Sequence, residues 1–457
     1  MRHLLIVLMI ALPTLLLAKP VEQEQLVEHV QIPYEKYTLE NGFSVILSED
    51  KTTPAIAVNT WYNVGAVNEK PHKTGLAHLF EHLMFEGSRH VGPSQHFKML
   101  EKIGAYDVNA STNFFNTNYY QTIPSNQLDL ALGLESSRMF FLDITQGKLD
   151  EQRAVVRRER EQRYETTPYG NAKLSLWQNT FPKDHPYFGK VIGSHEDLQA
   201  ATLKDVQSFF DRHYGPSNAC LTLVGNFDKN AIKPLIEKYY GSLPKGDLLP
   251  EVRIPKAVID KQEIIRFAEK LGKLPLISVL YITPGLFQPG DAEMDIIAHV
   301  LTGGEYGRLT KALTREKLWA SAVSAYQQSM DQMSVFVIDI LLNPDSDEQE
   351  VIKELDKVID SLENDPPSLV EQERARNAIL KNQLFSLQNV GGSYGKAELL
   401  QTYNRYAHNP GFLQQDIMRY QKIDQKALQE AKQSFLGTQS RKILIAKPST
   451  TRMAHRE

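Results

Sequence analysis

Hydrophobic and polar residues alternate in short runs near the start of the chain, a spacing that predicts β-strands. The run from Tyr37 to Leu47 is interrupted by Asn41-Gly42, a pair that favours the tight turn of a β-hairpin. Residues 55–62 are rich in apolar and β-branched side chains and predict the next strand. Apolar residues then recur every three to four positions over residues 74–85, which predicts a helix with Thr74 as its N-cap.

Strand and helix patterns continue along the chain without a regular strand-helix-strand alternation. Predicted strands cover 106–122 (as a pair), 220–226, 276–283, 334–342 and 442–446; predicted helices cover 149–164, 292–301 and much of 350–435. In a doubly wound parallel sheet, helices would alternate regularly with the strands. The mixture instead predicts the α+β class, with mainly antiparallel sheets and packed helices.

The amino terminus breaks these patterns. Met1-Arg2-His3 forms a short basic start, followed by an apolar run from Leu4 to Ala18 and then by polar residues. This three-part order predicts a signal peptide cleaved after Ala18, and therefore export. The alternative is an uncleaved membrane anchor, but the run is shorter than the ~20 residues that a helix needs to cross a bilayer. No other segment resembles a membrane span.

A chain of 457 residues is long for a single domain. Pro244, Gly246, Pro250 and Pro255 interrupt both periodic patterns near the middle. We therefore predict two similar-sized α+β domains joined by a linker that contains proline and glycine. The predicted boundaries are 1–18 for the signal peptide, 28–243 for the N-terminal domain, 244–262 for the linker and 263–450 for the C-terminal domain.

Composition and charge narrow the possible partners and the cellular location of the protein. The formal net charge of −4 gives no electrostatic case for nucleic acid, because a nucleic-acid binder normally carries a basic patch. The single cysteine, Cys220, lies in an apolar run and is predicted to be a core residue that cannot form an internal disulfide. Export without disulfides fits a bacterial periplasm better than disulfide-rich secretion by animal cells. We expect the periplasm, with secretion from the cell as the alternative.

The predicted helix at 74–85 contains the motif H-x-x-E-H, formed by His78, Glu81 and His82. At ~100° per residue the three side chains fall within about 100° of arc. The apolar side chains centred on the opposite side are those of Leu76, Leu79, Phe80 and Leu83. Two histidines one helical turn apart can bind one zinc ion, and the glutamate can reach a water molecule beside it. Surface histidines beside a solvated glutamate are the alternative interpretation. A catalytic zinc also needs a third protein ligand, which this segment does not supply.

Residues 74–87 resemble the active-site helix of the pitrilysin/insulinase peptidases, zinc enzymes with this inverted motif, and most closely the mitochondrial-processing-peptidase-like branch. The family takes its third zinc ligand from a glutamate on a later helix. Its spacing implies Glu159 in this chain, separated from His82 by residues 83–158. Many members have a second glutamate on that helix where this chain has Gln152. Gln152 should share the face of the ligand and can hold a hydrogen bond there, but not a charge.

The resemblance extends along nearly the whole mature chain, because similar short motifs follow in the family's order. These motifs are Leu39-Glu40-Asn41-Gly42, Val64-Gly65-Ala66-Val67-Asn68-Glu69, His185-Pro186-Tyr187 and Val224-Gly225-Asn226. Asn109-Ala110-Ser111-Thr112 is similar to the family's substrate-binding edge strand, to which an extended peptide adds by backbone hydrogen bonds. The resemblance implies that Asn109 and Ala110 bind substrate.

The C-terminal half departs from the family pattern. There the family, or a partner chain, supplies an Arg and a Tyr spaced R-x6-Y, which hold the substrate carbonyl and stabilise the oxyanion. One alignment puts Thr314 and Ser321 in these places; the other keeps Arg315 but puts Ala322 in the place of the Tyr. The full pair is absent in both. The resemblance therefore implies a homologous partner subunit that lacks the zinc motif but carries R-x6-Y, with a homodimer as the alternative.

These inferences predict a zinc endopeptidase that hydrolyses peptides or unfolded polypeptides bound in extended form. One Zn²⁺ per chain would be held by His78, His82 and Glu159, with Glu81 as the general base. The alternative is a non-catalytic structural or chaperone-like member of the family. Such members typically have a broken metal motif, whereas the motif here is intact. A thermolysin-like protease would require H-E-x-x-H, which the sequence does not contain.

Export provides a first test. Because the basic start and apolar run end at Ala18, the mature protein should begin near Lys19 and should be recovered outside the cytoplasm in soluble form. Amino-terminal sequencing of the purified protein measures this directly. An intact Met1 on a membrane-bound product would contradict cleavage.

Overall fold

Two β-sheets with packed helices organise residues 30–449, the part of the chain that this computed structural model describes. The predicted signal peptide lies outside the described residues. The strands are β1 (Glu35–Thr38), β2 (Ser44–Glu49), β3 (Ala55–Tyr62), β4 (Tyr106–Thr112), β5 (Thr117–Pro124), β6 (Ala219–Gly225), β7 (Glu263–Glu269), β8 (Leu276–Pro284), β9 (Ala320–Gln328), β10 (Met333–Leu342) and β11 (Lys442–Pro448).

Helices connect and cover these strands. They are α1 (Leu76–Leu83), α2 (Gln95–Lys102), α3 (Leu128–Phe141), α4 (Gln146–Arg160), α5 (Gly170–Thr180), α6 (His195–Ala200), α7 (Leu203–His213), α8 (Lys229–Ile236), α9 (Asp291–Thr302), α10 (Arg308–Thr310), α11 (Glu348–Asn364), α12 (Leu369–Ser386), α13 (Lys396–Tyr406), α14 (Leu413–Gln421) and α15 (Gln425–Phe435). Three of them continue into a π-helical turn: α4 over Glu161–Glu165, α8 over Glu237–Gly241 and α10 over Lys311–Glu316.

The two sheets share one topology. The first has the order β1-β2-β6-β3-β5-β4, with β2 and β6 parallel and its other neighbours antiparallel. The second has the order β7-β11-β8-β10-β9, with β7 and β11 parallel and its other neighbours antiparallel. Strands β7, β11, β8, β10 and β9 thus correspond to β2, β6, β3, β5 and β4. The predicted α+β class with two mainly antiparallel sheets is confirmed.

In each half, one helix packs on the sheet of the other half. Helix α13 packs on the first sheet, where Gln401 donates to the carbonyl oxygens of Asn59 (3.2 Å) and Cys220 (2.8 Å). Helix α5 packs on the second sheet, where Trp177 shares an apolar cluster with Val335. Both faces of the central strands are therefore covered, and all eight residues of β3 are buried.

The predicted hairpin turn and the predicted burial of the single cysteine are both present. Gly42 adopts φ = +89° in the β1–β2 hairpin, and its N–H donates to Leu39 O at 2.9 Å. Cys220 is buried in β6, and this burial raises the pKa of its thiol to about 12. Residues 244–262, the predicted linker, contain neither a helix nor a strand. Within residues 30–449, no helix combines the length and apolar character needed to span a membrane.

Candidate metal centre

Burial of one face of α1 positions the H-x-x-E-H side chains. Leu76, Leu79, Phe80 and Leu83 are buried in the core of the first half. Phe80 is fully buried, and its ring stacks on Phe210 with 5.5 Å between centroids. Because these apolar residues fix the rotation of the helix about its axis, the side chains of His78, Glu81 and His82 share the opposite face.

The start of α1 differs from the prediction. Thr74 is not the N-cap: its hydroxyl donates to Asp197 Oδ2 at 2.5 Å, and the cap is Gly75 at φ = +86°. The N–H groups of Gly75 and Ala77 donate to the carboxylate of Glu69, at 3.0 and 2.8 Å. Glu69 therefore satisfies two of the backbone donors that a helix amino terminus leaves free. Burial raises the pKa of Glu69 to about 8, and these hydrogen bonds oppose that rise.

The three predicted metal ligands converge. Oε2 of Glu159 lies 3.5 Å from Nε2 of His78 and 3.3 Å from Nε2 of His82. The three ligand atoms all lie within 4.8 Å of one another. Bonds of 2.0–2.1 Å in a tetrahedron imply ligand atoms about 3.3 Å apart, so the spacing and the His, His, Glu donor set both fit zinc. Among the described residues this is the one such cluster of three.

The protonation states of the site also suit a cation. Burial lowers the pKa of His78 to about 4, so its imidazole is neutral at pH 7 and Nε2 can offer a lone pair. Burial alone would raise the pKa of Glu159, but the hydrogen bond with His82 and the charges of His78 and Arg163 outweigh it and lower the pKa. At pH 7 the centre thus presents a neutral imidazole on His78 and an ionised carboxylate on Glu159.

Arg163 orients the third ligand. Its Nη2 lies 2.8 Å from Oε1 of Glu159, one turn further along α4 and its π-helical extension. One carboxylate oxygen is thereby engaged by Arg163 while the other faces the two histidines. A metal-ligating carboxylate is commonly held by such a partner.

The side chain of Glu81 projects from α1 beside these ligands and reaches the end of β4. Its Oε2 accepts a hydrogen bond of 2.6 Å from the hydroxyl of Thr112. Burial raises the pKa of Glu81, while this hydrogen bond and the charge of His82 lower it. The raised pKa makes this carboxylate a stronger base than a solvent-exposed glutamate.

Gln152 is buried on α4, as its spacing from Glu159 implies, but its hydrogen bond is to a different residue. Nε2 of Gln152 donates to Oε1 of Glu86 at 2.7 Å. Glu86 follows His82 by one helical turn, just beyond the end of α1. Gln152 therefore links α4 to the chain after α1 rather than contacting a candidate ligand.

Asn109 and Ala110 lie on β4, which forms one edge of the first sheet. Asn109 is exposed and Ala110 is buried, and the N–H of Ala110 donates to Oδ1 of Asn109 at 2.8 Å. An edge strand has one side free to pair with an extended chain. Because Thr112 on the same strand contacts Glu81, a peptide paired with this edge would pass the candidate centre.

The stretch that lacks R-x6-Y lies at the corresponding edge of the second sheet. Thr314 donates to the carbonyl oxygen of Thr310 at 2.7 Å, and Arg315 forms an ion pair with Glu305. Ser321 and Ala322 are exposed near the start of the edge strand β9. The structure thus brings His78, Glu81, His82 and Glu159 together, with β4 beside them, whereas this stretch leads into β9, an edge strand of the other sheet.

Sequence reasoning missed three supporting residues. Arg163 lies four positions after Glu159, a spacing that could have revealed the ion pair. Glu69 and Thr112 reach α1 from separate segments, so no local spacing signals their contacts.

Comparison with known proteins identifies the family of this chain. Residues 44–183 match the family model described as insulinase (peptidase family M16), and residues 200–379 match the model described as the peptidase M16 inactive domain. The chain belongs to peptidase family M16. The predicted resemblance to the insulinase family is therefore confirmed.

Named relatives of this M16 chain include proteases and a processing-peptidase subunit. It is 28% identical to the zinc protease PqqE of Helicobacter pylori, across 79% of this chain and 82% of the relative. It is 24% identical to the mitochondrial-processing peptidase subunit beta of Caenorhabditis elegans, across 60% and 57%.

Solved structures share its fold. A protease from Helicobacter pylori superposes with a TM-score of 0.81 at 24% identity, across 92% of this chain and 100% of the other. The periplasmic protease PqqL of Escherichia coli gives a TM-score of 0.72 at 16% identity, across 92% of this chain and 48% of the other.

The geometry predicts which substitutions abolish zinc binding. Replacing His78, His82 or Glu159 by Ala removes one of three converging donors and should remove most of the bound zinc, whereas Arg163→Ala should retain it with weaker affinity. Elemental analysis of the four variants measures zinc content. A melting temperature that rises on zinc addition in the wild type but not in His78→Ala would agree, since a ligand stabilises only a protein that binds it. Undiminished zinc in His78→Ala would contradict the assignment.

Proposed function

We propose that this M16 chain is a zinc endopeptidase that cleaves peptides or unfolded polypeptides in extended form. The observation that carries the proposal is the convergence of His78, His82 and Glu159 on one point, with Glu81 beside them. Zinc held there would polarise the scissile carbonyl and acidify a water molecule to a pKa of about 7. Glu81 would take the proton of the attacking water and pass it to the leaving amine.

The position of β4 supports the substrate class. Backbone hydrogen bonding to an edge strand requires an extended chain and does not depend on side-chain identity. Asn109 and Ala110 would carry this contact, on the same strand as the Thr112 that contacts Glu81. Folded proteins cannot supply such a segment without local unfolding, so peptides and unfolded chains are the expected substrates.

A non-catalytic structural or chaperone-like role is the second candidate. The observation in its favour is that residues 200–379 match a family model described as an inactive domain. That match covers mainly the second half, whereas the candidate ligands and Glu81 all lie within residues 44–183, which match the insulinase model. The intact donor set favours catalysis.

We also propose that the protein works in the bacterial periplasm. The predicted signal peptide and the lack of disulfides support this placement, and the structural similarity to the periplasmic protease PqqL of Escherichia coli agrees with it. Amino-terminal sequencing after cell fractionation, as described above, tests it.

Replacement of Glu81 separates metal binding from catalysis. Glu81→Gln keeps the shape of the side chain but cannot accept a proton, so zinc content should be unchanged and turnover should fall by ~10²-fold or more. Cleavage of a quenched fluorescent peptide, with zinc measured on the same sample, provides the test. Glu86→Gln is a matched control on the same segment and should keep most activity. A Glu81→Gln variant that cleaves at the normal rate would exclude Glu81 as the base.

The second proposal is that the chain acts as the zinc-bearing member of a pair. It lacks the full R-x6-Y pair in the 314–322 stretch, and its structure matches about half of the longer PqqL chain. The proposed partner is a homologous subunit without the zinc motif but with R-x6-Y. In the alternative, a homodimer, each zinc site would face the same stretch of its twin and would lack at least the Tyr.

Activity of the isolated chain tests this pairing. Loss of an oxyanion donor commonly lowers kcat by about 10² to 10³, so the purified chain should cleave a generic peptide weakly and a partner should raise the rate by a factor of that order. Mass in solution and peptide hydrolysis should be measured with and without the product of a neighbouring gene that encodes R-x6-Y. Full activity from a pure homo-oligomer would contradict the proposal.

A further inference from the structure

The hydroxyl of Thr112 contacts the candidate base directly. It lies at the end of β4 and approaches Oε2 of Glu81 to 2.6 Å, a distance typical of a hydrogen bond to a charged oxygen. Thr112 belongs to the side of the sheet that α1 covers, because Ala110 and Tyr119 on that side pack in the same core as α1. The contact therefore joins the two elements that border the candidate centre.

The single proton of the Thr112 hydroxyl has two acceptors within reach. Thr117 lies opposite Thr112 in the β4–β5 pair, with 3.2 Å between the two hydroxyl oxygens, and it donates its own proton to the carbonyl oxygen of Val64 at 2.9 Å. The carboxylate oxygen of Glu81 is the nearer acceptor, at 2.6 Å, and a hydrogen bond to a carboxylate is the stronger one. Thr112 therefore donates to Glu81.

Hydrogen bonds on the other face of the first sheet hold the end of β4 in place. Oδ1 of Asn118 accepts hydrogen bonds from the N–H (3.1 Å) and the hydroxyl (2.6 Å) of Ser111, the residue before Thr112. Nδ2 of Asn118 donates to Oε2 of Glu398 at 3.0 Å. The strand end that carries Thr112 is thereby anchored to a carboxylate on α13, a helix of the second half.

Glu398 is itself fixed by several donors. Its Oε2 also accepts from Nδ2 of Asn59 (2.9 Å) and Nε1 of Trp61 (3.3 Å), both on β3. A carboxylate that accepts three hydrogen bonds on one oxygen has a closely restricted orientation. Two residues before Glu398, Lys396 pairs with Asp50 at 2.5 Å and helps to hold the start of α13 on the first sheet.

We propose that Thr112 is the positioning residue for Glu81, and that Glu398 of the second half keeps Thr112 in place through Asn118 and Ser111. This inference rests on the proposed function for its catalytic consequence, but its structural part stands independently of activity. It gives the second half, which lacks R-x6-Y, a contribution to the centre from behind the sheet.

Three variants test the role of the Thr112 hydroxyl. Thr112→Val has nearly the same shape but no donor, Thr112→Ser restores the donor, and Thr60→Val is the matched control. Thr60 is buried on β3, on the side of the sheet that α1 covers, and its hydroxyl has no hydrogen-bond partner. Crystal structures should show the Glu81 carboxylate displaced in Thr112→Val but in place in Thr112→Ser and Thr60→Val. An unchanged Glu81 carboxylate in Thr112→Val would overturn the proposal.

Kinetics add a second measurement. Since misplacement of a catalytic group by about 1 Å can cost ~10²-fold, kcat should fall about 10- to 100-fold in Thr112→Val, with KM and zinc content nearly unchanged and with recovery in Thr112→Ser. A normal kcat in Thr112→Val, together with an inactive Glu81→Gln, would exclude positioning by Thr112 and leave the proposed function intact. Equal rates for the wild type and Glu81→Gln would instead reject Glu81 as the base, while the crystal structures would still decide the positioning.

The anchor through Glu398 has its own test. In Glu398→Gln the acceptor loses its charge, so the hydrogen bonds from Asn59, Trp61 and Asn118 should weaken. Hydrogen exchange should become faster in residues 106–112 than in the wild type. Lys396→Met is the control on the same helix, because it removes the ion pair with Asp50 but keeps the Glu398 carboxylate and its three donors. Unchanged exchange in Glu398→Gln, or an equal change in Lys396→Met, would show that Glu398 has no specific anchoring role.

Discussion

Burial of the apolar face of α1 is the interaction on which the candidate centre depends. The helix spans only Leu76–Leu83, and a helix this short gains little stability from its own hydrogen bonds. Packing of Phe80 against the rings of α7 fixes its rotation, and Glu69 satisfies the N–H groups of Gly75 and Ala77. With the axis and rotation fixed in this way, His78 and His82 can meet Glu159 of α4 at distances that suit one metal ion.

The carboxylates of Glu81 and Glu159 each have polar partners that contact single oxygen atoms and offset the effect of burial. Burial disfavours ionisation of both Glu81 and Glu159, since carboxylates are poorly solvated away from water. Arg163 and the hydrogen bond with His82 favour the ionised form of Glu159, while Thr112 donates to Glu81. The difference suits the two glutamates to distinct roles in the proposed site, with Glu159 as an ionised candidate ligand and Glu81, whose pKa is raised, as a candidate base.

The two halves depend on one another because each sheet is covered by a helix from the other half. Helix α13 completes the first sheet and brings Glu398 behind the strand that carries Thr112. Helix α5 covers the second sheet in the same way. Separation of the halves would expose apolar surface on both sheets, so the second half supports the centre even though its edge strand β9 follows a stretch without R-x6-Y.

The sequence by itself determined the motif, most of the strands and the class of fold, but it did not predict β7 (Glu263–Glu269) or β9 (Ala320–Gln328). The spacing of His78, Glu81 and His82 is local to one helix, and helical geometry alone places them on one face. Glu159 required the family's spacing, because its contact with the histidines joins separate helices. The donations from Thr74 to Asp197 and from Thr112 to Glu81, and the anchoring by Glu398, were decided only by the tertiary structure. These contacts join segments far apart in the chain, and their geometry depends on how helices and sheets pack, which no local periodicity encodes.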